Sequence, residues 1–177
     1  FKYGIDIMES MGIPVQKINA AISTIDASQV LCGKKILITG GSKGIGYQIA
    51  KRYIAEGAEA VIVGRNEEAL SHAAQDLGCQ YIAYDLTNIQ DLPSLIKQSA
   101  DLLGGLNGLV NNAGVCNIDD GFLKVTENSY DEQFTLNVKS PFFLTQAFVQ
   151  YCVDHNVESA GIVFITSERG LYPDDAP

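Results

Sequence analysis

The sequence has few of the residues on which several classes of protein depend. It contains two histidines, His72 and His155, and four widely spaced cysteines with no Cys-x-x-Cys pair, which argues against a zinc site. No run approaches the roughly 18 apolar residues that span a bilayer. Basic residues number 12 against 21 acidic ones, for a net charge of −9. We therefore expect no membrane insertion and no general nucleic-acid binding, which needs a basic face.

The composition is typical of a folded globular chain. The 177 residues suffice for one domain with a sizeable core, and 46% of them are hydrophobic against 19% charged. The cysteine spacing predicts four reduced thiols in a cytoplasmic protein. These cysteines are Cys32, Cys79, Cys116 and Cys152.

From residue 35 onward, short apolar runs alternate with longer segments of helical periodicity. This alternation predicts an α/β fold of the Rossmann type, a doubly wound parallel sheet with helices on both faces. Right-handed crossovers then bring the carboxyl ends of the strands, and any ligand crevice, to one edge. The predicted strands are 35–39, 60–63, 80–84, 106–110 and 161–165, and the predicted helices are 46–56, 66–77, 89–103 and 127–153.

Two parts of the chain depart from this simple alternation. Pro141 lies inside the last predicted helix and should bend it or interrupt its hydrogen bonds. Residues 1–34 do not follow the pattern, although 3–11 could form an amphipathic helix and 13–18 could be extended. We expect this segment to be an N-terminal extension or the tail of an upstream domain, and residues 35–177 to form the Rossmann domain.

The sequence TGGSKGIG at 39–46 follows a predicted buried strand and opens a predicted helix. Gly40 can adopt a positive φ without steric cost, and the glycines at 44 and 46 would let a pyrophosphate approach the backbone. The helix amino terminus offers N–H groups and a positive dipole end to phosphates. The alternative is a glycine-rich turn that binds no ligand.

Arg65 comes just after the second predicted strand, a place that faces the adenosine ribose in dinucleotide folds. An acidic residue there would accept hydrogen bonds from the ribose of NAD, whereas arginine accommodates a 2′-phosphate. Lys43, in the glycine turn, supplies a second cation. The pair favours NADP(H) over NAD(H), and the alternative for Arg65 alone is a solvated surface residue.

Asp85 ends the third predicted strand, where its carboxylate could accept a hydrogen bond from the adenine amino group. An Asx turn or N-cap leading into the next helix also explains this residue, and on the residues alone we prefer that interpretation.

Four elements in order give the chain its resemblance to a known family. They are TGGSKGIG at 39–46, Asp85-Leu86, NNAG at 111–114, and Asn137 followed by ITS at 165–167. The chain resembles the short-chain dehydrogenases/reductases, in their single-domain, non-extended branch, over about residues 35–177. The resemblance implies an oxidoreductase that transfers a hydride between NADP(H) and a ketone or secondary alcohol. It also implies a homodimer or homotetramer.

The resemblance further implies a role for each matching residue. Asn137 would hold a water in a proton relay, although a polar residue on an exposed helix face is the simpler interpretation. Ser167 would bind the substrate oxygen, or else satisfy its own loop backbone. The residues expected to contact the cofactor are Thr39, Gly40, Ser42, Lys43, Gly44, Ile45, Gly46, Arg65, Asn66, Asp85, Leu86, Asn111, Ala113 and Gly114.

The family's catalytic tyrosine, with a lysine four residues later, has no counterpart after Ser167 in these residues. Tyr172 comes too early and has Ala176 where the lysine would stand. We favour the interpretation that the chain is a fragment, because a parallel sheet that ended at strand five would have an unprotected edge. The alternative is a catalytically incomplete module that binds a dinucleotide as a sensor or regulator.

Other side-chain groups are expected to be structural. The pairs Asp119-Asp120 and Asp174-Asp175 are interpreted as solvated loop acids rather than cation sites. Four aromatic residues on the last predicted helix are expected in the core or at a subunit interface, and these are Phe142, Phe143, Phe148 and Tyr151.

Overall fold

The computed structural model describes residues 29–116 and 122–167 and contains one five-stranded sheet. All pairings are parallel, and the strand order is β3-β2-β1-β4-β5. The strands are β1 Lys35–Thr39, β2 Glu59–Gly64, β3 Gln80–Ala83, β4 Gly108–Asn111 and β5 Gly161–Phe164. The helices are α1 Gly44–Ala55, α2 Glu67–Leu77, α3 Leu92–Leu103, α4 Glu127–Phe134 and α5 Ser140–Asp154. Short 3-10 turns lie at Ile89–Asp91 and Phe122–Lys124.

Helices cover both faces of the sheet, as predicted. Successive strand residues point to opposite faces, so Leu37 packs in one apolar cluster while Ile36 and Ile38 pack in the other. The first cluster joins β1, β2 and β4 to α3 and α5, where Leu144 and Phe148 are buried. The second joins the sheet to α1 and α2 through Ala50 and Leu70. The fold is therefore the predicted doubly wound, Rossmann-type arrangement.

Local signals set the ends of α2. Asn66 caps its amino end, because the Asn66 Oδ1 accepts a hydrogen bond from Ala69 N at 2.8 Å. The acids Glu67 and Glu68 occupy the first turn, where they complement the positive end of the helix dipole. Gly78, with φ +67°, ends the helix in the left-handed conformation.

The long predicted helix at 127–153 is present but interrupted. Thr126 caps α4 through a hydrogen bond from Ser129 N, and α5 ends at Asp154. Between the two helices, Thr135–Lys139 forms a π-helical turn. Pro141 itself lies in the first turn of α5, where a missing N–H is tolerated. The interruption that Pro141 predicts therefore falls on its amino-terminal side.

β5 is the exposed edge of the sheet, and all four of its residues are exposed. By contrast, the central strands β1, β2 and β4 are almost entirely buried. In the described ranges nothing covers β5 on the side away from β4. Its apolar residues, including Phe164 at 50% exposure, therefore face outward.

The segment before β1 is described only from residue 29. Leu31 N donates to Glu56 O at 2.9 Å, and Leu31 packs beside the second cluster. The helix and extended segment predicted at 3–11 and 13–18 lie outside the described residues. Across 29–116 and 122–167, no helix is both long and apolar enough to cross a membrane.

Candidate nucleotide-binding and active site

The glycine turn lies at the carboxyl end of β1 and leads directly into α1. Gly40 has φ +67°, and its N–H donates to Val63 O on the neighbouring strand at 2.7 Å. A Cβ on Gly46 would collide with the carbonyl oxygen of Gly40 and the side chain of Asn112. Only glycine therefore lets α1 approach the turn this closely.

The amino end of α1 is open to a ligand. It begins at Gly44, two residues earlier than predicted, and a Cβ on Gly44 would meet no atom within 4 Å. No side chain caps this end, and no acidic residue lies in its first turn. The backbone N–H groups and the positive end of the helix dipole thus remain for an anion. This arrangement fits the pyrophosphate of a dinucleotide.

The side chains around this turn differ in their exposure. Ser42 is half-buried, whereas Lys43 is exposed. Ile45, which the resemblance assigns to the cofactor, is 63% exposed. An apolar side chain at the rim of the turn is available for contact with a ligand or another part of the protein.

Thr39 joins the glycine turn to the loop after β4. Its hydroxyl donates to Val110 O at 3.2 Å and accepts from the N–H groups of Asn112 and Ala113, at 2.9 and 3.0 Å. The side chain is buried. Thr39 therefore stabilises the turn, and all its hydrogen-bonding capacity is used within the protein.

Asn112, which is not among the predicted site residues, supports the glycine turn through its side chain. Its Nδ2 donates to Thr39 O at 2.9 Å and to Gly40 O at 3.2 Å, so it holds the glycine turn from the β4 side. The preceding Asn111 is buried and donates to Thr145 Oγ1 of α5 at 3.0 Å. The NNAG sequence at 111–114 contains Asn112 and could have identified it from the sequence.

Arg65 and Asn66 follow the last residue of β2, at the same edge as the glycine turn. Val63 pairs with Thr39, which places Arg65 two residues beyond the strand partner of Thr39. Arg65 is exposed and no acidic residue adjoins it in 64–66. The Asn66 side-chain oxygen serves as the α2 cap, so its contribution to a ligand is limited to the remaining amide group.

Asp85 and Leu86 follow β3 with different environments. Asp85 Oδ1 accepts from Thr87 N at 3.0 Å and from Thr87 Oγ1 at 2.8 Å, which is the Asx turn preferred from the sequence. The Leu86 side chain lies in the core. This loop would therefore meet an adenine through backbone atoms and the free Asp85 oxygen.

Asn137 lies in the π-helical turn and is bonded to the loop after β4. Its Nδ2 donates to Val115 O at 2.7 Å, and its Oδ1 accepts from Val115 N at 2.9 Å. A Cβ on Gly114 would lie 3.2 Å from Oδ1. Asn137 is exposed, as the simpler interpretation expected, but its amide is engaged by the backbone of Val115 rather than by solvent alone.

Five of the predicted site residues, namely Thr39, Leu86, Asn111, Ala113 and Asn137, line a small cavity of about 70 Å³ at the carboxyl ends of β1, β4 and β5. Ser167 is exposed and directly follows Thr166, which lines this cavity. The cavity is lined by Thr39, Leu86, Asn111, Ala113, Leu136, Asn137, Ser140, Pro141, Leu144, Phe164, Ile165 and Thr166. The sequence thus brings both predicted catalytic residues to the edge where the glycine turn opens.

The possible metal ligands in the described part of the chain are dispersed. It contains no group of three His, Cys, Asp or Glu side chains that could hold a metal ion. The paired acids at 119–120 and 174–175, and Tyr172, lie outside it. All four cysteines are free thiols, and burial raises the pKa of Cys79 to about 11.

Comparison with known proteins places the chain among enzymes of one fold. The chain is 36% identical over 120 residues to a sorbitol dehydrogenase of Cereibacter sphaeroides, covering 66% of this chain and 46% of that protein. It is 29% identical over 150 residues to a cis-2,3-dihydrobiphenyl-2,3-diol dehydrogenase of Paraburkholderia xenovorans, covering 81% and 53%. The chain spans about half the length of these curated relatives.

Solved structures agree. A short-chain type dehydrogenase/reductase from Mycobacterium marinum superposes with a TM-score of 0.80 at 27% identity, covering 88% of this chain and 64% of that one. A short chain dehydrogenase from Mycobacterium smegmatis gives 0.78 at 28% identity, covering 88% and 67%. The family model for short chain dehydrogenases matches residues 34–176. The chain therefore belongs to the short-chain dehydrogenase family.

Proposed function

We propose that this chain binds NADP(H) and that the whole protein transfers a hydride between this cofactor and a ketone or secondary alcohol. The family binds a nicotinamide dinucleotide, and the choice of NADP(H) is the proposal. The observation that carries it is the open amino end of α1 at Gly44, with Lys43 and Arg65 exposed at the same sheet edge. A guanidinium and an ammonium group complement a 2′-phosphate.

The chain's residues would hold the cofactor along the carboxyl edge of the sheet. The glycine turn takes the pyrophosphate, Arg65 takes the 2′-phosphate, and the loop at Asp85 takes the adenine. Asn111, Ala113 and Gly114 support the nicotinamide ribose. When bound, the nicotinamide supplies the hydride chemistry. The residues of the chain bind and orient it.

Asn137 and Ser167 would serve the substrate end. The Asn137 side chain is already bonded to Val115. In an α-helix the carbonyl of Asn137 would accept a hydrogen bond from the N–H of residue 141, but Pro141 has no N–H to donate. We therefore assign the water-holding role to the Asn137 carbonyl oxygen rather than to its amide. Ser167 would donate to the substrate oxygen, where negative charge develops during reduction.

The partner surface proposed is the outer face of the long helix. Phe142, Val149 and Val153 are exposed along α5, beside a groove that ends at Phe164 of β5. Apolar side chains in a row on one helix face are typical of an interface. We propose that a second copy of the protein covers this face in a homodimer or homotetramer.

The proposal is tested by titrating the full-length protein with NADPH and with NADH and following the nicotinamide fluorescence. Tighter binding of NADPH is expected, and equal or tighter NADH binding contradicts the cofactor assignment. Binding of neither coenzyme contradicts the function as a whole. Tight binding without turnover of any ketone or secondary alcohol in a broad panel would favour the sensor alternative.

A further inference from the structure

Ser140 is a buried serine at the start of α5 whose hydroxyl reaches two backbone carbonyls. Its Oγ lies 2.7 Å from Leu86 O and 2.8 Å from Thr135 O, and the residue is 1% exposed. The backbone N–H of Ser140 also donates to Thr135 O. A hydroxyl has one hydrogen to donate. The two carbonyls therefore share this hydrogen, and the shorter of the two contacts is the one to Leu86 O.

The two ends of this bond belong to different parts of the dinucleotide site. Leu86 follows Asp85 in the loop after β3, which the proposed function assigns to the adenine. Ser140 closes the π-helical turn that carries Asn137, and Asn137 in turn is hydrogen-bonded to Val115 in the loop after β4. A continuous path of bonds therefore runs from the β3 loop to the β4 loop.

We propose that Ser140 is a positioning residue that ties the β3 loop to the π-helical turn of Asn137, and so fixes the adenine and nicotinamide halves of the site relative to each other. The assignment of the two halves to adenine and nicotinamide rests on the proposed function. The structural link from Ser140 to Val115 depends only on the observed hydrogen bonds.

A comparison with Ser99 separates this role from ordinary helix packing. Ser99 is also buried, and its Oγ donates to Leu95 O four residues earlier in α3, at 2.7 Å. That bond stays within one helix turn and touches no residue of the candidate site. The Ser140 bond instead spans 54 positions of sequence, from α5 to the loop after β3. Ser99→Ala is therefore a matched control for Ser140→Ala.

The test compares these two variants in the full-length protein by two measurements. The first is the hydrogen-exchange rate of the Val115 amide without nucleotide, because this N–H is protected by Asn137 Oδ1. The second is the dissociation constant for NADPH. For Ser140→Ala we expect exchange about 5- to 10-fold faster and NADPH binding about 3- to 10-fold weaker, the effect of losing one buried hydrogen bond. For Ser99→Ala we expect both values to stay within about twofold of the unmodified protein's, despite a similar loss in Tm.

The outcomes separate this inference from the proposed function. Unchanged Val115 exchange in Ser140→Ala overturns the positioning role, whatever the protein binds. Faster exchange in a protein whose unmodified form binds neither NADPH nor NADH supports the positioning link and contradicts the proposed function. If Ser140→Ala does not fold, Ser140→Cys replaces it. A thiol is a weaker donor, so a smaller acceleration supports the role and no acceleration overturns it.

Discussion

The side-chain amide of Asn137 and the backbone of Val115 form a closed pair of hydrogen bonds, with lengths of 2.7 and 2.9 Å. A residue of the π-helical turn thereby sets the path of the loop that follows β4. The bonds need both a donor and an acceptor on one planar group, which asparagine provides at the correct length. These two bonds hold Val115 and the adjoining Gly114 next to Asn137, although Val115 lies beyond the last residue of β4.

We expect Asn137→Ala to loosen this loop. Two hydrogen bonds are lost, so the free energy of unfolding should fall by about 1–2 kcal/mol, and NADPH should bind more weakly. Urea unfolding and fluorescence titration measure the two effects. The control is Asn128→Ala on α4, which removes one exposed bond to Glu132 Oε1 and should cost less than about 0.5 kcal/mol. Equal effects of the two changes would contradict the loop-holding role.

Gly44 and Gly78 offer a matched pair for testing the phosphate site. Both have positive φ, +59° and +67°, and a Cβ on either would meet no atom within 4 Å. Gly44→Ala and Gly78→Ala should therefore lose similar stability, about 1 kcal/mol each, from backbone strain alone. Only the Gly44 methyl group projects where phosphates are proposed. Weaker NADPH binding should accordingly be confined to Gly44→Ala, and equal binding by both variants would count against phosphates at the α1 terminus.

Much of the fold was readable from the sequence because its signals are local. The buried strands and the glycine turn each depend on a few neighbouring residues, and both predictions are confirmed. Pro141 correctly marked an interruption of the long helix. It did not reveal the π-helical turn, in which the backbone N–H of Ser140 donates to Thr135 O five residues earlier.

For the candidate site, the sequence predicted which residues belong to it better than it predicted which hydrogen bonds they form. The sequence singled out Asn137, but its bond to Val115 joins residues 22 positions apart and leaves no periodic signal. It passed over Asn112, whose side chain holds the glycine turn. Each of these depends on tertiary proximity rather than on local preference.

The four thiols should differ in reactivity. Cys32 and Cys116 are exposed, whereas burial raises the pKa of Cys79 to about 11 and also raises that of Cys152. At pH 8 the Cys79 thiolate fraction is then on the order of 0.1%. Iodoacetamide labelling followed by mass spectrometry should modify Cys32 and Cys116 first and Cys79 more slowly. Early labelling of Cys79 would contradict its burial.

The same shift gives Cys79 a contribution to stability with a definite sign. Its pKa is raised above the ordinary value of 9.0 on folding, so the folded state favours the neutral thiol. The contribution is complete below about pH 9 and is lost as the pH rises toward 11. We expect Cys79→Ser to flatten the decline of Tm between these values. A decline as steep as that of the unmodified protein would contradict this contribution.

The exposed apolar face of α5 should hold two copies together. Phe142 is 62% exposed on this face, and a carboxylate buried at an interface is costly. Phe142→Asp should therefore shift the molar mass measured by light scattering toward the monomer. Phe122→Asp is the control, because Phe122 is 89% exposed on a separate 3-10 turn. Unchanged assembly in Phe142→Asp would place any interface elsewhere.

Arg65 should determine which coenzyme the protein prefers. Arg65→Asp replaces a group suited to a 2′-phosphate by one that repels it and can accept hydrogen bonds from a ribose hydroxyl. Loss of one charge-assisted contact of about 1.5–3 kcal/mol corresponds to a shift of roughly 10- to 100-fold in the NADPH/NADH ratio of dissociation constants. Lys51→Asp is the control, since Lys51 is exposed on the third turn of α1 and the change alters the net charge equally. A smaller shift of the same sign is expected for Lys43→Ala, because lysine acts as a single point charge. If Arg65→Asp and Lys51→Asp change the ratio equally, the preference arises from overall charge and Arg65 does not read the 2′-phosphate.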